Sequence, residues 1–98
     1  MNDILKADLN ALKVLDVLLD ECSVSQAAKR LHVTQPSVSY TLQKLRDLFD
    51  DPLFVRSGKS LSPTLRAQQL APIIRQALEL IETGVSKHQQ FDPVSSNR

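Results

Sequence analysis

Thr34-Gln35-Pro36-Ser37-Val38-Ser39-Tyr40-Thr41-Leu42-Gln43-Lys44-Leu45-Arg46-Asp47-Leu48-Phe49 reads as a helix with its own start signal. Thr34 is a good N-cap, and Pro36 fits the first turn, where a backbone N–H has no intrahelical partner anyway. Val38, Leu42, Leu45 and Phe49 then fall on one apolar side at helical spacing. At about 100° per residue, Pro36, Tyr40, Gln43 and Asp47 point nearly opposite Val38. Ser37 and Lys44 flank that outward face on one side and Ser39 on the other, while Gln35 sits at the N-terminal tip. The face is a row of hydrogen-bond donors and acceptors. Gln can bond an adenine edge with two hydrogen bonds, and Ser can reach several bases or a phosphate. The same pattern also describes an ordinary amphipathic helix with a solvated polar face, so the flanking segments have to decide.

Upstream, Ser23 stands three residues before Gln26, a capping-box spacing that opens a short helix. Val24, Ala27, Ala28 and Leu31 form its buried side, and Lys29 and Arg30 project outward. His32-Val33 breaks the period before Thr34. A short helix, a tight turn and a longer helix are the parts of a major-groove reader, and the small Ala27 and Ala28 let the two helices approach closely. Further upstream, Asp8 is placed to cap a helix with apolar residues Leu9, Leu12, Leu15 and Leu19, widened by Leu18, and with Asp16, Asp20 and Glu21 outward.

Downstream, Asp50-Asp51-Pro52 stops the third helix. Leu53-Phe54-Val55-Arg56 and Ser60-Leu61-Ser62, around Ser57-Gly58-Lys59, predict a small hairpin with Gly58 at positive φ. Its turn carries Arg56 and Lys59 toward a phosphate backbone or minor groove. Arg56 has the planar fork that matches a phosphate, whereas Lys59 reads equally well as an exposed loop lysine. Thr64 caps a fourth helix running to about Gly84, with apolar Leu70, Ile73, Ile74, Ala77, Leu78 and Ile81, and Pro72 placed to bend it. That stripe is wide enough to serve two surfaces, the first helix and a second copy of the chain. The alternative is that all of it covers the chain's own head. Residues 88–98 show no period and read as a tail or linker.

Bulk properties agree with one small globular domain. The chain has 98 residues, 42% of them hydrophobic and 23% charged, enough for one core. No apolar run is long enough to span a bilayer, and the first residues do not look like a signal peptide, so no membrane association is expected. Cys22 is the lone cysteine, which excludes an intramolecular disulfide and suits a reducing cytoplasm. Net charge is +1, but it is unevenly spread. Residues 1–22 hold Lys6 and Lys13 against Asp3, Asp8, Asp16, Asp20 and Glu21. Residues 23–66 hold Lys29, Arg30, Lys44, Arg46, Arg56, Lys59 and Arg66 against Asp47, Asp50 and Asp51. The positive excess therefore lies in the middle third, where a polyanion would bind. His32, His88 and Cys22 are scattered, with no metal-ligand spacing, and there is no Gly-rich phosphate loop. Neither catalysis nor a cofactor nor a metal is expected.

The run Ser25-Gln26-Ala27-Ala28-Lys29-Arg30-Leu31-His32-Val33-Thr34-Gln35-Pro36-Ser37-Val38-Ser39 resembles the helix-turn-helix of the LysR-type transcriptional regulators. The likeness continues through Leu42-Gln43-Lys44-Leu45, Asp51-Pro52-Leu53-Phe54-Val55-Arg56 and Pro63-Thr64, and covers roughly residues 8 to 84. Asp8-Leu9-Asn10 and Pro63-Thr64-Leu65-Arg66-Ala67 look most like the subgroup of nodulation and leucine-operon-linked regulators. The resemblance implies a mainly α fold: a winged helix-turn-helix of three helices and a β-hairpin wing, then a long linker helix that pairs two copies. It implies double-stranded DNA as partner, bound as a homodimer at an inverted repeat, with tetramers for full-length members. Gln35, Pro36, Ser37 and Ser39 occupy the family's DNA-contacting positions, and Thr34 and Arg56 match positions that hold the backbone. Tyr40 stands where many members have Arg, and Cys22 where Gly is frequent.

Together the two readings give an expected interface. Gln35, Pro36, Ser37, Ser39, Tyr40 and Gln43 face the groove, Thr34, Lys44, Arg56, Lys59 and Arg66 hold the backbone, and Leu70, Ile73, Ile74, Ala77, Leu78 and Ile81 pair the copies. The expected division is 1–63 for the head, 64–87 for the linker helix and 88–98 for the tail. The family's two-lobed inducer-binding domain has no counterpart in these residues, so the chain is expected to be a DNA-binding fragment or a short form. The competing class is a winged helix that has lost DNA binding and works by heterodimerising through its linker helix.

Overall fold

The computed structural model describes residues 9–91. Asp8, expected to cap the first helix, and the tail from residue 92 onward lie outside the described residues, and so do the side chains of 87–91. The element order is α1 (Leu9–Glu21), α2 (Val24–Leu31), α3 (Gln35–Phe49), β1 (Phe54–Ser57), β2 (Ser60–Pro63) and α4 (Leu65–Phe91). This is three helices, a hairpin and a long helix, the mainly α winged arrangement that the pattern implies.

Three caps expected from local chemistry are formed. Ser23 Oγ accepts the Gln26 N–H at 3.2 Å, Thr34 Oγ1 accepts the Ser37 N–H at 3.3 Å, and Thr64 Oγ1 accepts the Ala67 N–H at 3.1 Å. Each satisfies one of the orphan donors of a helix start. The turn between α2 and α3 is closed by His32 at φ 59° and by Val33, whose N–H donates to the Ala28 carbonyl at 3.0 Å. Cys22, between α1 and α2, has φ 52°, which explains physically why glycine suits that position.

Packing centres on α1, which touches α2, α3 and α4. Leu15 and Leu18 are fully buried, with Ala11 and Val17 beside them, while Leu9 is 49% exposed and Leu12 and Leu19 are only half-buried. The stripe is thus turned from the Leu9-Leu12-Leu15-Leu19 line expected from spacing. A helix contacted by three others buries a wider arc than a two-sided amphipathic pattern describes. Ala27 and Ala28 of α2, Val38, Leu42 and Leu45 of α3, Leu53 and Phe54 of the wing, and Ala67 and Ile74 of α4 complete one core.

The hairpin is antiparallel, pairing Phe54 with Pro63, Val55 with Ser62, Arg56 with Leu61 and Ser57 with Ser60, and Gly58 takes φ +62° in its turn. Its entry is strained. Leu53 has φ 65°, and the Phe54 N–H donates to the Pro52 carbonyl across it at 2.7 Å, a γ-turn. Complete burial of the Leu53 side chain offsets that cost. The α4 helix runs on past Gly84 to Phe91, longer than its apolar period suggested, with Pro72 inside it.

Candidate nucleic-acid interface

Gln35, Pro36, Ser37, Ser39, Tyr40, Gln43 and Lys44 are all exposed along α3, opposite buried Val38, Leu42 and Leu45. Tyr40 is 69% exposed, and the Lys44 ammonium lies 5.6 Å from that ring's centre, a cation–π distance. Gln43 is less free than its exposure suggests. Its amide donates to Asp47 Oδ1 at 3.4 Å, and its oxygen accepts from Arg46 Nη1 at 3.5 Å. Both contacts are long enough to be exchanged for a ligand.

The wing comes to the same place. Gln35 and Ser39 share a cleft with Arg56, Lys59 and Ser60 of the hairpin and with Ser23 and Ser25 at the start of α2. The cleft is polar and carries two cations and no acid. Its wall is held by backbone, because the Leu61 N–H of β2 donates to the Cys22 carbonyl at 2.9 Å. Arg66 does not join it. It lies on the first turn of α4, where its charge helps to lower the Asp51 carboxyl.

Three arginines do structural work that sequence reading missed. Arg46 donates from Nε to the Pro52 carbonyl at 2.8 Å and from Nη2 to the Phe54 carbonyl at 3.5 Å, tying the last turns of α3 to the strained wing entry. Arg75 of α4 reaches Asp16 at 3.2 Å and Asp20 at 2.9 Å on α1. Arg30 projects outward as expected and, on that surface, pairs with Asp20 and Glu21, each at 3.1 Å. The one sequence signal for these pairs was the run of outward acids on α1. Asp51 is the other junction. Its Oδ2 accepts the Thr64 hydroxyl at 2.7 Å and the Leu53 N–H at 2.8 Å, and these bonds hold its carboxyl below the usual carboxylate range.

Of the six residues expected to pair copies, Ile74 is buried in the chain's own core, Leu70 and Leu78 pack half-buried against that core, and Ala77 is half-buried. Ile73 and Ile81 are 60% and 42% exposed, and Leu80, absent from the expected set, is 73% exposed. Among the described residues no helix is long and apolar enough to cross a membrane, and no cluster of His, Cys, Asp or Glu could hold a metal ion.

Comparison with known proteins places this arrangement. Residues 9–68 match the family described as bacterial regulatory helix-turn-helix proteins, lysR family. Nodulation protein D 2 of Bradyrhizobium elkanii is 43% identical over 91 residues, covering 93% of this chain and 28% of that protein. The HTH-type transcriptional regulator LeuO of Escherichia coli is 42% identical over 91 residues, covering 93% of this chain and 29% of its own length. The chain therefore spans less than a third of these curated relatives. Among solved structures, the CbnR DBD–DNA complex superposes with a TM-score of 0.79 at 25% identity, covering 86% of this chain and 97% of that one. By its matched family and by its nodulation and LeuO relatives, the chain belongs to the LysR family of bacterial helix-turn-helix transcription regulators, a family of DNA-binding proteins and not of enzymes.

Proposed function

We propose that this chain reads a specific DNA sequence as a homodimer, with α3 in the major groove and the wing on the adjacent backbone or minor groove, in the bacterial cytoplasm. The observation that carries the reading is the shared cleft in which Gln35 and Ser39 at the tip of α3 meet Arg56 and Lys59 of the wing. Groups able to read base edges and groups able to grip phosphate there converge on one surface. The CbnR complex, similar over most of this chain, is a protein–DNA complex. In this reading Pro36, Ser37, Tyr40 and Gln43 share the groove face, while Thr34, Lys44 and Arg66 serve the backbone.

Pairing through α4 supplies two such heads. Leu70, Ile73, Ala77, Leu80 and Gly84 recur at alternating spacings of three and four, a seam of the coiled-coil kind. Ile73 and Leu80 are its exposed large members. A Cβ added at Gly84 would meet nothing in this chain, although glycine inside a helix costs about 1 kcal/mol relative to alanine. A closely approaching second helix gives that glycine a use. Two heads related by a two-fold axis would read an interrupted inverted repeat. Residues 1–63 then act as reader, 64–87 as pairing helix and 88–98, whose first four residues continue α4, as connector.

The test is selection of bound duplexes from random DNA, followed by Gln35→Ala. The variant is expected to lose about 1–3 kcal/mol on the selected site and to relax preference at one or two base pairs. Equal losses on selected and random duplexes contradict base reading by Gln35. If the folded chain selects nothing yet still associates through α4, the protein-interaction reading takes its place.

A further inference from the structure

We infer that Lys13, with Asn10 beside it on α1, forms a second phosphate-gripping edge that meets the DNA strand opposite the one held by the wing. The inference rests on the DNA-reading role proposed for α3. Lys13 and Asn10 are exposed, and they line a cleft with Ser37, Thr41 and Lys44 of α3. At about 100° per residue, those three lie on one flank of α3, about 60–120° from Val38, and Gln35 and Ser39 lie at similar angles on the other flank. The second flank is the one that faces Arg56 and Lys59. The outward face of Pro36, Tyr40 and Gln43 therefore runs between two rims that both carry cations. A major groove about 12 Å wide is bounded by a phosphate strand on each side, so a helix lying in it can be gripped by a cationic rim on each side. The wing supplies only one.

The acidity of α1 would argue against a DNA role if its carboxylates were free. They are not. Asp16 and Asp20 are held by Arg75, and Asp20 and Glu21 by Arg30, at 2.9–3.2 Å. Lys13, one turn before Asp16, makes no ion pair among the described residues. Lys44, the other cation of this rim, lies against the Tyr40 ring. The α1 wall of the cleft thus presents Lys13 as a cation without an ion pair among the described residues, and Asn10 as a neutral donor beside it, although Asp16, Asp20, Glu79 and Glu82 line a second cleft on the other side of Lys13.

The experiment measures binding of the whole chain to a duplex recovered by selection, and to a random duplex, between about 50 and 200 mM salt. Each lost phosphate contact reduces the log–log salt slope by about 0.9, so the wild-type advantage over Lys13→Ala should shrink about 3.5-fold across that range. The loss should be alike on both duplexes, and Lys13→Arg should keep the wild-type slope. Single neutral methylphosphonates then locate the contact. The phosphate whose neutralisation ceases to matter in Lys13→Ala should lie on the strand opposite that found with Arg56→Ala. An unchanged slope in a folded Lys13→Ala, or both effects on one strand, overturns the inference while leaving DNA reading by α3 intact. Failure of the wild-type chain to bind any duplex overturns the reading it rests on.

Discussion

At the scale of single residues, Arg46 decides how the wing leaves the recognition helix. Its guanidinium spans two carbonyls, Pro52 at 2.8 Å and Phe54 at 3.5 Å, on either side of Leu53 at φ 65°. The γ-turn there is a backbone shape that a non-glycine residue adopts only when its surroundings over-determine it. Charge-assisted bonds to those carbonyls supply the determination. Arg46→Ala should therefore destabilise the fold by about 1–2 kcal/mol in urea unfolding, and Arg46→Lys should not restore it, because an ammonium lacks the fork. An unchanged urea midpoint would make Arg46 an ordinary solvated side chain. The role was not legible beforehand, since a cation in a basic stretch looks the same whether it serves a phosphate or a carbonyl eight residues away. Cys22 was legible through the family pattern, because a position that favours glycine is one that needs the left-handed backbone it shows at φ 52°.

Among elements, the junction of wing and α4 turns on a carboxylate. Asp51 accepts from the Thr64 hydroxyl and the Leu53 N–H through one oxygen, while Thr64 also caps α4 by accepting the Ala67 N–H. These bonds favour the charged form and lower its pKa below the ordinary 3.8. The unfolded chain then takes up a proton more readily than the folded one as acid is added. The stabilisation is full at pH values above the ordinary carboxylate value and disappears as pH falls through the lower, folded one. Asp51→Asn removes the titration but keeps an acceptor oxygen, so its deficit in thermal midpoint relative to wild type should narrow as pH drops from about 5 to about 2. A deficit constant over that window would mean that charge is irrelevant there. The caps at Ser23, Thr34 and Thr64 could be read from sequence because their partners are three residues away. Asp51 read only as a helix stop, because its hydroxyl partner lies across the whole hairpin.

For the whole molecule, the question is which side of α4 belongs to the chain and which to a second copy. Periodicity shows that Leu70, Ile73, Ile74, Ala77, Leu78 and Ile81 are apolar on a helix, but not which of them the head already covers. That depends on where α1 crosses, which is a property of the assembled core. Ile74 is 6% exposed and Leu80 73% exposed, so the same substitution should have opposite meanings at the two sites. Ile74→Glu buries an unpaired charge and should unfold the head, costing several kcal/mol. Leu80→Glu meets solvent in the single chain and should leave the far-UV spectrum and core packing intact. In the proposed pair it would place like charges along the seam, so sedimentation should show monomers. Operator affinity should then fall about 10²–10⁴-fold, because the second half-site no longer binds as an intramolecular step. Binding to one isolated half-site should change little, and that contrast separates lost pairing from a damaged reader. A Leu80→Glu chain that still sediments as a dimer would move the interface off the Ile73–Leu80 seam, and with it the spacing of the two recognition helices.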